Sequence, residues 1–181
     1  MKIKSLTIYC SSSENLDKKY YDLAENIGLF LATKSIKIIF GGGKTGLMGK
    51  VSRSAFVNGS EVIGIIPEFL RIKEKVSHET TKTIVVKDMT ERKKKLFEYA
   101  DSFLILPGGS GTIEEASEII SWKFLGLHNK NIIIFNYKGY WDHFIKLYDE
   151  AKEKNFGNKN LQSICHHVNT LDQFVNLFKN E

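Results

Sequence analysis

Two glycine-rich loops stand where chemistry on a phosphorylated small molecule would need them. The first, Gly41-Gly42-Gly43-Lys44-Thr45-Gly46-Leu47-Met48-Gly49, directly follows the apolar run Ile38-Ile39-Phe40. The second, Pro107-Gly108-Gly109-Ser110-Gly111-Thr112, follows Phe103–Leu106. Bare glycines let backbone N–H groups close on a phosphate, and the helix start that follows adds the positive end of its dipole. Three glycines and a hydroxyl in the second loop make a phosphate nest. Familiar patterns fit neither loop in full. Gly41, Gly43 and Gly46 satisfy GxGxxG, yet a dinucleotide fold wants an acid at the end of the next strand, and Glu61 stands at its beginning. Gly43-Lys44-Thr45 imitates the end of a P-loop, but Ile38 occupies the upstream glycine position. Thr112 stands where a hydrolase elbow needs its second glycine. The alternative for the first loop is a tight turn that needs positive φ.

A carboxylate and a guanidinium accompany these loops. Glu115 opens the helix that the second loop leads into, and Thr112-x-x-Glu115 is also a capping box. On the pattern alone the cap is the preferred reading. In the first helical turn the carboxylate feels the positive dipole end and stays ionised, which suits charge stabilisation or base work better than acid work. Upstream, Asp88-Met89-Thr90-Glu91-Arg92-Lys93 places Thr90 as an N-cap, with Arg92 and the lysines in the first helical turns. Cations are disfavoured there, so a nearby anion would compensate them. A solvated basic face is the alternative, and it fits Lys94 and Lys95 better than Arg92.

Such residues need a scaffold that gathers strand ends. Short apolar runs at Leu6–Cys10, Lys37–Phe40, Glu61–Ile66, Thr83–Val86, Ser102–Leu106, Ile132–Asn136 and Cys165–Val168 read as strands. They alternate with amphipathic stretches at Asp17–Thr33, Met48–Asn58, Thr90–Tyr99, Thr112–Leu125, Trp141–Lys154 and Leu171–Phe178. In the first stretch Leu23, Ile27, Phe30 and Leu31 recur at helical spacing. Ile38-Ile39-Phe40 and Phe103–Leu106 are apolar throughout, as strands covered on both faces are. The expected fold is α/β: one Rossmann-like, doubly wound parallel sheet flanked by helices, a single domain across residues 1–181. Its ligand belongs at the carboxyl ends of the strands, beside the switch in strand order.

Composition narrows the partners. The 181 residues are 42 % hydrophobic and 26 % charged, which suits one globular domain and excludes a disordered chain. The net charge of +5 is scattered apart from Arg92–Lys95, with no basic stripe interleaved with aromatics, so no nucleic-acid polymer is expected as partner. No run approaches the ~18 apolar residues of a membrane span. Met1–Cys10 alternates like a strand and has no signal-peptide core. Cys10 and Cys165 sit in no CxxC, so a reducing, cytoplasmic location is expected. His78, His128, His143, His166 and His167 form no HxxxH or HExxH pair, and no metal site is expected. His128 reads as a turn residue, Trp122 and Phe124 as core or interface packing.

In order and spacing these pieces resemble the LOG (Lonely Guy) family, whose PGGxGTxxE signature Pro107–Glu115 meets at every specified position. Asp88-Met89 with Arg92-Lys93 resembles the family's D-M and RK pairs, and Tyr9–Ser13 its first-strand CGSS turn. Gly41-Gly42-Gly43 with Gly46–Gly49 matches GGGxxGLMG, and Trp122, Leu125-Gly126, His128 and Gly139-Tyr140 fall where the family has them. The likeness runs from about Leu6 to Phe156. It implies hydrolysis of a nucleoside 5′-monophosphate, a cytokinin riboside monophosphate or AMP, to free base and ribose 5-phosphate, with no cofactor. It implies that Gly108, Gly109, Gly111 and Thr112 hold the 5′-phosphate and that Arg92 and Glu115 are the catalytic pair. Ser12, Gly42, Gly43, Met89, Lys93 and Ser110 complete the nucleotide-binding set on this reading. A homodimer, with residues around Trp122 near the shared site, is implied as well. Ser11, Ser110, Phe124, Asn131 and Trp141 depart from the common pattern, which bears on base specificity more than on reaction class.

Three rival readings remain. The "lysine decarboxylase-like" label attached to the family would require pyridoxal phosphate and a Schiff-base lysine, for which Lys44 is the candidate. A non-catalytic carrier of a phosphorylated, nucleotide-like cofactor, as in molybdenum-cofactor carriers, would use the glycine loops equally well. Retention of both Arg92 and Glu115 favours the enzyme. An NAD(P)-dependent oxidoreductase lacks its acid after the second strand.

Overall fold

The apolar runs form strands and the amphipathic stretches form helices, in strict alternation. The computed structural model describes residues 3–73, 76–157 and 161–178. The chain runs β1 (Ser5–Tyr9), α1 (Lys18–Thr33), β2 (Lys37–Phe40), α2 (Gly46–Val57), β3 (Val62–Pro67), α3 (Glu68–Lys73) and β4 (Lys82–Val86). It continues through α4 (Met89–Glu98), β5 (Ser102–Ile105), α5 (Ser110–Phe124), β6 (Asn131–Phe135), α6 (Asp142–Glu153), β7 (His166–Val168) and α7 (Leu171–Asn176). α3 was not legible: six residues closed by Arg71 on Glu68 at 2.6 Å are too short to show a helical period.

All strands pair in parallel, in the order β4-β3-β2-β1-β5-β6-β7. The fold is the expected Rossmann-like doubly wound α/β sheet. From β1 the chain winds outward to β4, then returns to the other side of β1 as β5. The switch in strand order therefore lies between the ends of β1 and β5, where such sheets hold ligands.

Side-chain alternation divides the core between the two faces. Leu6, Ile8, Ile38, Phe40, Leu104, Ile133 and Phe135 pack with α1, α2 and α7. Tyr9, Ile39, Ile63, Ile65, Phe103, Ile105, Ile132 and Ile134 pack with α4 and α5, and with Phe144, Ile145 and Tyr148 of α6. The buried Thr7 hydroxyl donates to Leu96 O at 2.6 Å, which ties β1 to α4. No helix among the described residues is long and apolar enough to cross a membrane.

Helices α1 and α2 touch almost backbone to backbone. Ser54 Oγ donates to Glu25 O at 2.7 Å, and a Cβ on Gly28 would stand 2.5 Å from Val51 O and 2.8 Å from Ser54 Cβ. A backbone oxygen cannot turn aside as a flexible side chain would. Gly28→Ala is therefore expected to force the helices apart and cost about 1–3 kcal/mol, read as a lowered urea midpoint. An unchanged midpoint would contradict this packing.

Candidate active site

Three strand-end loops are laced together at the switch point. Ser11 N–H donates to Pro107 O at 3.1 Å, joining the ends of β1 and β5. Met48 N–H donates to Ser11 O at 3.1 Å, and Thr45 Oγ1 to Ser12 O at 2.7 Å, joining β1 to the start of α2. Gly46, at φ +61, allows this approach: a Cβ there would meet Ser12 C at 2.6 Å. These loops and α4 enclose a cavity of about 250 Å³ lined by Cys10–Ser13, Met48, Met89, Arg92, Gly109–Thr112, Glu114 and Glu115. A wider groove of about 670 Å³ runs beside α1 and the Asn136–Asp142 turn. There Asn136 is already bonded to Asp142 and to Trp141 N–H, so size alone does not choose the site.

Two helix starts face each other across the smaller cavity, and they are finished differently. At α4 the Asp88 carboxylate accepts Glu91 N–H at 2.8 Å, while Glu91 accepts Lys87 N–H at 3.0 Å. These two bonds fasten the chain entering α4, with Asp88 as the cap. This corrects the expectation of Thr90 as N-cap, because the acid two residues earlier is the stronger anchor. At α5 the N-cap is Gly109, with no side-chain cap, and the first intrahelical bond is Ile113 N–H to Gly109 O at 3.0 Å. Thr112 lies inside the helix, so the expected Thr112–Glu115 capping box does not form. The start of α5 is left open on the cavity, an anion site by dipole and by unclaimed donors. Gly109 and Gly111 have neither positive φ nor any atom within 4 Å of a would-be Cβ. The fold makes no use of their bareness, and the space it leaves adjoins the cavity.

Arg92 is 8 % exposed. Its Nη2 donates to Gly41 O at 3.1 Å, its Nη1 approaches Met89 Sδ at 3.7 Å, and its Nε has no partner. A Cβ on Gly41 would collide with Nη2, so this glycine is spent on seating the guanidinium. Glu115 reaches the cavity from the second turn of α5 and is only partly exposed. Burial pushes its carboxyl up to about 7; Arg92 pulls it down, Glu114 and Glu118 push it up, and Lys93 pulls it down. The expectation of a fully ionised carboxylate is thereby corrected: desolvation outweighs a dipole that Glu115, beyond the first turn, scarcely feels. A carboxyl near 7 both takes and gives protons at neutral pH.

Of the residues singled out from sequence, Ser12, Met89, Arg92, Gly109, Ser110, Gly111, Thr112 and Glu115 line the cavity together. Four do not. Gly108 packs under the Thr112 side chain and accepts the Tyr140 hydroxyl at 2.8 Å. Gly42, at φ +81, is a turn residue whose carbonyl accepts Ser77 N–H, and Gly43 pairs with Val76. The first glycine loop is thus the tight turn named as the alternative. Lys93 is ion-paired to Glu114 at 2.6 Å and Glu118 at 3.1 Å. Cys10, Ser11, Ser13, Met48 and Glu114 also line the cavity, and Gly41 seats Arg92; all are neighbours of the motifs legible in the sequence. Burial and Glu115 push the Cys10 thiol well up, so it is no nucleophile. His128 takes Lys130 N–H on Nδ1 at 3.2 Å, which leaves Nε2–H to bond Ile119 O at 2.8 Å. It is a neutral clasp, as its turn position suggested. Trp122 packs edge-on to Phe97 with ring centres 5.0 Å apart. Among the described residues no group of three or more His, Cys, Asp and Glu is placed to hold a metal.

A parallel sheet with an open helix start, a buried arginine and a half-neutral carboxyl at its switch point defines a Rossmann-like small-molecule site. The family described as "Possible lysine decarboxylase" matches residues 48–178. The cytokinin riboside 5′-monophosphate phosphoribohydrolase LOG1 of Arabidopsis thaliana is 37 % identical over 155 residues, 86 % of this chain and 73 % of that protein. The enzyme of the same name from Rhodococcoides fascians is 38 % identical over 154 residues, 84 % of this chain and 78 % of its own. The chain belongs to the LOG family. Solved structures share the fold alone: a molybdenum cofactor carrier protein from Chlamydomonas reinhardtii has TM-score 0.71 at 15 % identity, covering 97 % of this chain and 95 % of that one. A molybdenum cofactor binding protein from Rippkaea orientalis has TM-score 0.71 at 18 % identity, covering 99 % and 97 %. The residues do not fit the pyridoxal phosphate that a lysine decarboxylase would need. Lys44 is exposed and outside the cavity, and Lys93 is held by two carboxylates.

Proposed function

We propose that this protein is a nucleoside 5′-monophosphate phosphoribohydrolase, which splits the N-glycosidic bond with water to give free base and ribose 5-phosphate. The observation that carries the reading is the uncapped start of α5 beside Glu115 and Arg92 in one cavity. The 5′-phosphate sits on the N–H groups of Ser110, Gly111 and Thr112. This sets the ribose over Glu115. As the bond to the base breaks, its electron pair leaves with the ring nitrogen and positive charge grows on the sugar, as in glycoside hydrolysis. Ionised Glu115 stabilises that charge and takes the proton of the water that adds to the sugar carbon. The base takes up a proton in leaving. Arg92 stays charged throughout and fixes the anionic substrate against the carboxylate.

The relatives act, by name, on cytokinin riboside 5′-monophosphates, so AMP and isopentenyladenosine monophosphate are the nucleotides to offer. Base release from both is expected to far exceed release from adenosine, which has no phosphate for the helix start. Equal rates on adenosine would sink the phosphate assignment. A single cytoplasmic domain acting as a homodimer completes the reading. Exposed Ile113, Leu125 and Leu127 on and just after α5 offer the apolar contact, and light scattering on the eluted protein reads the mass.

A further inference from the structure

Two neighbouring residues of α4 address three carboxylates of α5. Arg92 enters the cavity opposite Glu115, while Lys93, one position on, turns outside it and bridges Glu114 and Glu118 at 2.6 and 3.1 Å. Glu114 and Glu118 lie one turn apart on α5 and repel each other unless a cation stands between them. They also flank Glu115 in sequence. The other titratable groups near Glu115 are Tyr9 and Cys10 at the end of β1, both held neutral by burial. Lys93 is thus the only cation besides Arg92 that acts on Glu115 among the described residues.

We propose that Lys93 is the positioning residue of the site, clamping α5 to α4 through Glu114 and Glu118 and offsetting part of the charge they impose on Glu115. This rests on the reading of Glu115 and Arg92 as the reacting pair. Lys93 then touches no substrate, contrary to its place in the nucleotide-binding set implied by resemblance. Its pairs are partly exposed, so their worth as stabilisers is small. Their effect falls on the protonation of the neighbouring carboxyl, which feels two negative charges without Lys93 and a net one with it.

The test is a carbon-13 titration of protein labelled at the glutamate carboxyl, with Glu115→Gln identifying the Glu115 signal. Lys93→Met keeps the stem and removes the charge. It is expected to move the Glu115 midpoint up by on the order of half a pH unit or more. Lys93→Arg should return it to the wild-type value, and Lys93→Met combined with Glu114→Gln and Glu118→Gln should more than reverse the rise. Should Lys93→Met not fold, Glu114→Gln with Glu118→Gln in the presence of Lys93 carries the test, and the midpoint must fall. An unmoved midpoint in either variant overturns the proposal. The titration needs no substrate, so a protein that hydrolyses no nucleotide would refute the proposed activity and leave this inference to its own result.

Discussion

Glu115→Gln is expected to lower kcat for base release by a factor of about 10²–10⁴ and, above neutrality, to make the protein more stable. The activity loss follows from removing the one group that both stabilises the sugar cation and accepts the proton of water. The stability gain follows from burial. The Glu115 carboxyl is raised from 4.5 to about 7. Below 4.5 it is protonated in the folded and unfolded chain alike, and burial carries no ionic penalty. As pH rises the unfolded chain ionises first, so the folded state loses stability progressively, and the penalty is complete above about 7. The shift corresponds to roughly 3 kcal/mol, which water at the partly exposed carboxylate reduces to about 1–2 kcal/mol. A glutamine escapes this penalty. Thermal melts at pH 8.5 should place the variant above wild type, and melts at pH 5 should bring the two closer together. An equal difference at both pH values would show that Glu115 does not titrate as described. Wild-type kcat/KM should fall as pH drops through about 7, because the working form is the carboxylate.

Moving Arg92 without touching its charge is expected to be nearly as damaging as deleting it. Gly41 lies against Nη2, and Gly41→Ala would push the guanidinium off the Gly41 carbonyl and out of line with Met89. The displaced group would swing into the cavity that it lines, and so into the space the substrate needs. A misplacement near 1 Å is worth on the order of 10² in rate, so kcat/KM should drop about 10²-fold in Gly41→Ala and further in Arg92→Ala. Arg92→Lys should not rescue, since an ammonium lacks the fork that engages two sides at once. Near wild-type kcat/KM in Gly41→Ala would mean that the seat of Arg92 is immaterial to turnover.

The sheet was legible because its central strands are apolar on both faces, a pattern local to each strand, and the seven runs fix seven strands. The second glycine loop was legible for the same reason: Pro107–Thr112 needs only its own residues to place a helix start at a strand end. Two local capping patterns misled, and so did each inference that depended on a partner distant in sequence. Thr112 and Glu115 spell a capping box, yet the helix begins at Ser110 and carries both residues past the cap. The cap that does form, Asp88 on Glu91, uses equally local signals but was passed over for Thr90. Glu115 was expected to be ionised from its place on a helix, whereas its burial beneath α4 and β1 decides its protonation. Gly42 and Gly43 look like phosphate ligands, yet Gly42 holds a positive-φ turn whose carbonyl accepts Ser77 N–H, and neither glycine lines the cavity. Arg92 depends on Gly41, far upstream in the chain, and no spacing rule announces that contact.

The most direct measurement follows free base and ribose 5-phosphate by chromatography after purified protein is incubated with AMP and isopentenyladenosine monophosphate, with Glu115→Gln and Arg92→Ala alongside. Wild type is expected to release base and ribose 5-phosphate in equal amounts, and either substitution to abolish the release. Tight nucleotide binding without release by the wild type would contradict that expectation, and would make the protein a carrier.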